Sequence, residues 1–358
     1  MTGKERMQRI LRHEPVDRIG LFEHFWGDTH KEWTQRGWVK EGDNFADLFG
    51  FDMEECWAFN LTADLDFVPQ LISEDEDTVT MLDGNGATLR RHKFHDTTPE
   101  HIDFAIKTRE DWETRIKPLL KPDPRRINFT GYREIRRRAA EAGRFFVWSG
   151  VNVFESIHPV TGHVNMLMAM IDDPDWVRDM ADTYANLIIE LQTMLFEREG
   201  WPDGIWYYED MGYKGSPFMS PAFYRDMIMP AHKRTISFAH EHGLPVIMHS
   251  CGYVEPLLPH MIEAGIDCLE VIEVKAGMDL IKLHKQFGDR IALMGGIDVR
   301  ALYTNDRAVI DRELESKIPL VKQGYGFALH SDHSIPKTVD YDTYCYFIKR
   351  GLELGRYE

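Results

Sequence analysis

Basic residues are scarce in this chain: 42 Lys and Arg stand against 59 Asp and Glu over 358 residues, a formal net charge of −17. That balance argues against nucleic acid and against an anionic membrane surface as partners. Long apolar runs are also missing; the longest are strand-sized, so no membrane span is expected. The N-terminus, Met1-Thr2-Gly3-Lys4-Glu5-Arg6, is charged rather than apolar and does not read as a signal peptide. Cysteine is sparse. Cys56, Cys251, Cys268 and Cys345 are widely spaced, which fits reduced thiols and a cytoplasmic location rather than a disulfide framework. Neither a GxGxxG segment nor a phosphate-binding loop occurs, which leaves nothing to suggest a nucleotide-binding sheet. No Gly/Ser-rich linker divides the chain, and residues 1–358 read as one domain.

What the sequence does contain is alternation. Thr2 with Glu5 forms a capping box for a first helix through about Arg12. Short apolar runs then recur between amphipathic stretches: Ile19–Glu23, Asp52–Trp57, Phe145–Trp148, Gly204–Tyr207, Pro245–His249, Asp267–Val271, Ile291–Met294 and Gly326–Leu329. Ser220-Pro221 opens one helix as N-cap and first-turn proline. Strands alternating with helices imply a parallel sheet, and eight such units in this length favour an α/β fold of the (β/α)₈ TIM-barrel type. Residues 66–107 depart from the pattern. Thr78–Leu82 and Ala87–Arg91 flank Asp83-Gly84-Asn85-Gly86, a β-hairpin signature, and are expected to form an antiparallel insertion over one end of the barrel.

In such a barrel the active site lies at the C-terminal ends of the strands. Those ends carry Glu23, His24 and Trp26; Trp57; Trp148; Tyr208, Glu209, Asp210 and Lys214; His249 and Cys251; Glu270, Glu273 and Lys275; Asp298; and His330, Ser331, Asp332 and His333. His249-Ser250-Cys251-Gly252 is the most informative stretch. It offers an imidazole and a thiol to one point at a strand mouth, a pairing suited to zinc, although a buried His beside a small apolar Cys gives the same pattern. Glu209-Asp210 suits either chemistry or a helix N-terminus, Asp332-His333 either a site or a solvated loop, and Lys275 either a site or the surface. His158 and His163 flank a proline turn. Trp26, Trp148 and Tyr208 suit core packing or the walls of a ligand pocket.

Several stretches together resemble the uroporphyrinogen decarboxylase-like superfamily. They are Arg6-Met7-Gln8-Arg9-Ile10-Leu11 with Pro15-Val16-Asp17-Arg18, Ser220-Pro221-Ala222-Phe223-Tyr224 with Pro230, the His249-Ser250-Cys251-Gly252 turn, and Ala292-Leu293-Met294-Gly295-Gly296-Ile297-Asp298. The resemblance spans nearly the whole chain and implies the same barrel. True uroporphyrinogen decarboxylases of that superfamily carry an Arg-rich segment after the first strand to hold substrate carboxylates. Here the place reads Phe22-Glu23-His24-Phe25-Trp26-Gly27-Asp28, which would repel a polycarboxylate. The other branch, the cobalamin-dependent methyltransferases, has a His-x-Cys zinc turn and a further Cys near the last strand. His249 and Cys251 match the turn; Ser331 stands about where that Cys is expected, leaving His333, Asp332 or Glu209 to complete a harder site.

The resemblance therefore implies a methyltransferase of a corrinoid-dependent system. It would move a methyl group between a small methylated or methoxylated compound, or an acceptor, and cobalamin carried by a partner corrinoid protein. The expected metal ligands are His249, Cys251 and His333 around a zinc ion acting as Lewis acid. Glu209, Asp210 and Lys275 are expected in catalysis; Glu23, Trp26, Trp148, Tyr208, Lys214 and Asp332 are expected to bind substrate. A metal-free, decarboxylase-like lyase acting on a small carboxylic acid or a tetrapyrrole-related substrate is the alternative, and a homodimer is open.

Overall fold

The computed structural model describes residues 1–95 and 98–357. Its centre is an eight-stranded parallel sheet made of β1 (Gly20–Leu21), β2 (Met53–Trp57), β3 (Phe145–Val151), β4 (Gly204–Tyr208), β5 (Val246–Ser250), β6 (Cys268–Val271), β7 (Ala292–Gly295) and β8 (Phe327–Leu329). The spatial order is β1-β8-β7-β6-β5-β4-β3-β2. Every strand falls on one of the apolar runs picked out by sequence. Strands covered on both faces are buried on both and so read as apolar runs, as in Phe145–Trp148.

The seam between β1 and β2 is closed by Asp52. Its amide donates to the Leu21 carbonyl at 2.8 Å, and its carboxylate accepts from the Leu21 amide at 2.9 Å. Arg6 and Arg18 hold that carboxylate at 2.6 and 2.7 Å, and Asp17 anchors Arg6 from the other side at 2.7 Å. The N-terminal stretch Arg6 to Arg18 is thus the staple of the barrel seam. Its helix, Gly3–Ile10, carries the expected Thr2–Glu5 capping box and ends two residues earlier than the sequence suggests.

The inserted segment is larger than one hairpin. Gln70–Glu74, Thr78–Leu82, Ala87–His92 and Glu100–Phe104 form a four-stranded antiparallel sheet. The two central strands are those flanking the Asp-Gly-Asn-Gly turn. The outer two are almost wholly exposed and have no apolar face to announce them. Among the described residues no helix is long and apolar enough to cross a membrane.

Candidate active site

Side chains alternate inward and outward along each barrel strand. On β4, Trp206 and Tyr208 point into the barrel, while Tyr207 points out to Gln192 on the helix Pro174–Glu199 at 3.1 Å. On β2, Glu55 points in and Glu54 points out to Arg138 and Arg144. Tyr208, His249 and Glu270 are register partners on neighbouring strands, so their side chains form one inward layer at the mouth. Beneath it the rings of Trp206, Phe22 and His24 pack edge-to-face, with centroids 5.5 Å apart for each pair made with Trp206, and close the floor.

Above that floor is a cavity of about 360 Å³. His249 is its pivot. Its Nδ1 is hydrogen-bonded to the buried Glu270 carboxylate, which fixes the ring so that Nε2 faces 3.3 Å from Cys251 Sγ and 3.3 Å from Asp210 Oδ1. Asp210 is itself positioned by accepting from the Cys251 amide at 2.8 Å. Asp210, His249 and Cys251 each present one ligand-type atom, all within 4.8 Å of one another. Burial opposes charge on His249, yet the Glu270 carboxylate holds it well above the usual imidazole range; burial pushes the Cys251 thiol up to about 11.

A second network lies on the β1–β8 side. His24 Nε2 meets Glu55 Oε1 at 3.1 Å, and Tyr208 donates to Glu55 Oε2 at 3.0 Å. His24 Nδ1 faces His330 Nε2 at 3.0 Å. Burial keeps His330 down at about 4. Trp26 and His333 line the same cavity and stack on each other with centroids 5.7 Å apart. No lysine or arginine lines this cavity among the described residues.

Lys214 and Lys275 line an adjoining cavity of about 540 Å³, which meets the first at Cys251. Lys275 Nζ lies 3.2 Å from Glu273 there. The remaining residues singled out from the sequence lie elsewhere. Glu209 is fully buried. Its carboxylate accepts from the amides of Phe154 and Glu155 at 2.7 and 2.9 Å, at the start of helix Val153–Asp172, and is hydrogen-bonded to His232. Glu23 accepts from the Ser331 amide and hydroxyl and the His24 amide, at 3.0, 3.0 and 3.1 Å, below the cavity. Asp332 ties three strand-end loops together by accepting from Val274 and Val299 at 2.8 and 2.7 Å, and burial lifts its carboxyl to about 6. Trp148 packs in the core on Phe59 and Tyr207. His158 and His163 stack 4.3 Å apart, and His158 lies 2.9 Å from Glu155, which in turn accepts from the Asp210 amide at 3.3 Å.

Sequence reasoning placed His24, Glu270 and His330 at strand ends without assigning them a role, and it missed Glu55. The period-2 alternation on β2 is the signal for Glu55, and it becomes usable once the strand phase is known.

The loop carrying Cys251 is held by backbone contact. A Cβ on Gly252, at φ +80°, would stand 2.2 Å from the Gly212 carbonyl carbon. Gly252→Ala is expected to lower the unfolding free energy by about 1–3 kcal/mol; an unchanged denaturant midpoint would show that the two loops are not locked.

The family model described as uroporphyrinogen decarboxylase (URO-D) matches residues 146–351. A methylated-thiol–coenzyme M methyltransferase of Methanosarcina mazei is 32% identical over 90 residues, which is 25% of this chain and 23% of that protein. The match therefore spans less than a quarter of that relative. A solved structure of a methyltransferase from Methanosarcina mazei has a TM-score of 0.68 at 17% identity and covers 99% of both chains. At that identity the likeness is one of fold, the (β/α)₈ barrel.

Proposed function

The chain belongs to the uroporphyrinogen decarboxylase family, and from that premise we propose that it is a methyltransferase of a corrinoid-dependent system, with Asp210, His249 and Cys251 holding a zinc ion. The observation that carries this reading is the donor set itself. Neighbouring ligand atoms in tetrahedral zinc, with bonds of about 2.0–2.3 Å, lie roughly 3.3–3.6 Å apart, and His249 Nε2 stands 3.3 Å from both Asp210 Oδ1 and Cys251 Sγ. The Glu270 carboxylate on His249 Nδ1 is the partner a metal-ligating histidine has. A zinc ion held by these three residues would keep one position for substrate, as in catalytic rather than structural zinc.

When bound, the ion supplies Lewis-acid polarisation of the oxygen, nitrogen or sulfur that gives or receives the methyl group. The chain's own residues do the rest. Trp26, Tyr208 and His333 wall a volume suited to a small methylated compound. Tyr208 keeps its hydroxyl proton, because burial and the Glu55 carboxylate both disfavour the phenolate. Lys214 and Lys275 stand beyond Cys251, where they neutralise an anionic end of the substrate or acceptor. Glu209 acts as a positioning residue: by capping the helix Val153–Asp172 it fixes the chain leading into Asp210. At the rim, Trp57 is half exposed and packs 4.6 Å from Tyr208, offering a flat apolar edge to a corrin ring presented by a partner protein. Among the described residues no Lys or Arg lines the central cavity, which disfavours a polycarboxylate substrate.

The test is turnover. Zinc-loaded protein, mixed with free cob(I)alamin and a panel of O-, N- and S-methyl compounds, is expected to form methylcobalamin with one class of donor, or to consume methylcobalamin with one class of acceptor. No transfer in either direction across the panel would overturn the reading.

A further inference from the structure

We propose that the floor of the cavity holds a second divalent cation, bound by His24, His330 and Glu270. These three residues each offer one ligand atom within 4.8 Å of the others. The two imidazoles are held by their outer nitrogens. His24 Nε2 donates to Glu55 Oε1 at 3.1 Å, and His330 Nδ1 donates to the Ser331 carbonyl at 2.5 Å. In neutral rings so held, the inner nitrogens, His24 Nδ1 and His330 Nε2, both carry lone pairs, and they face each other at 3.0 Å. That contact calls for a cation beside the pair or for a proton on His24 Nδ1, which burial opposes and the Glu55 carboxylate favours. The third donor is Glu270 Oε1, which is fully buried, has no hydrogen-bond partner, and stands 3.6 Å from His330 Nδ1. A buried carboxylate oxygen without a donor is costly unless a cation meets it.

The surroundings agree. Glu55, Asp210 and Glu270 line a cavity in which no described lysine or arginine offsets them. Two His and one carboxylate form a ligand set for first-row divalent ions. Two nitrogens bound at about 2.1 Å in an octahedral ion, at about 90°, stand roughly 3.0 Å apart, as observed. The set is chemically distinct from the thiolate-bearing trio: it has no sulfur and draws on β1, β6 and β8. Glu270 joins the two, with one oxygen on His249 Nδ1 and the other free for the inner cation. This site goes beyond the zinc position proposed above and does not depend on it.

The test uses the full chain, stripped with chelator, titrated with Co²⁺ or Zn²⁺ alone and passed through gel filtration before elemental analysis. Wild type is expected to retain about two equivalents. His330→Ala and, as a second variant in case that one fails to fold, His24→Gln are each expected to retain about one, with the thiolate-to-Co²⁺ charge-transfer band intact. Cys251→Ser is expected to retain about one without that band. If wild type retains about one equivalent and folded His330→Ala or His24→Gln retains the same one, a shared proton joins the two rings and the proposal is overturned. If the one equivalent survives Cys251→Ser but not His330→Ala, the inner site stands and the zinc position at Cys251 falls.

Discussion

Cys251→Ser is expected to lose the thiolate-bound metal and to slow methyl transfer by at least about 10²-fold. The serine hydroxyl keeps the volume but not the chemistry: a soft anion becomes a neutral oxygen that zinc does not deprotonate readily. Several kcal/mol of Lewis-acid polarisation go with the ion, and about 1.4 kcal/mol is tenfold in rate. The fold should be spared, since Cys251 follows β5 at the mouth and its amide still donates to Asp210. Elemental analysis, the transfer assay and circular dichroism on the same sample check the three parts. Full zinc content with full activity would remove Cys251 from the site.

Asp52→Ala should be among the most destabilising substitutions in the chain. It removes the acceptor for the Leu21 amide and for two guanidinium groups, Arg6 and Arg18, at a position 2% exposed. Breaking one side of a buried ion pair costs about 3–5 kcal/mol, because the remaining charges keep their desolvation penalty. Denaturant unfolding measures it. Asp52→Asn, which can still accept from Leu21, should lose less. A loss under about 1 kcal/mol for Asp52→Ala would mean that the seam does not rest on this residue.

Burial governs what could be read from the sequence. Barrel strands covered on both faces are largely apolar, so each of the eight showed as a run, and the turn residues Asp83-Gly84-Asn85-Gly86 marked one hairpin of the insertion. Gln70–Glu74 and Glu100–Phe104 face solvent and carry no such pattern; their place in a sheet comes from pairing with strands already laid down. The site divides the same way. His249 and Cys251 stand in a turn after a strand and are conspicuous there. Glu54 and Glu55 are adjacent on β2, yet one carboxylate reaches arginines outside the barrel and the other His24 inside it. Glu209 and Asp210 are adjacent, and strand phase sends one to a helix start and the other to the cavity. Phase is a tertiary property, set by which face meets the core.

The most direct test of the central claim is anomalous diffraction at the zinc edge from crystals of the zinc-loaded protein. The account predicts a peak in bonding contact with Asp210 Oδ1, His249 Nε2 and Cys251 Sγ, at about 2.0–2.3 Å. A loaded protein with no anomalous density among those three atoms would contradict it, whatever other metal it held.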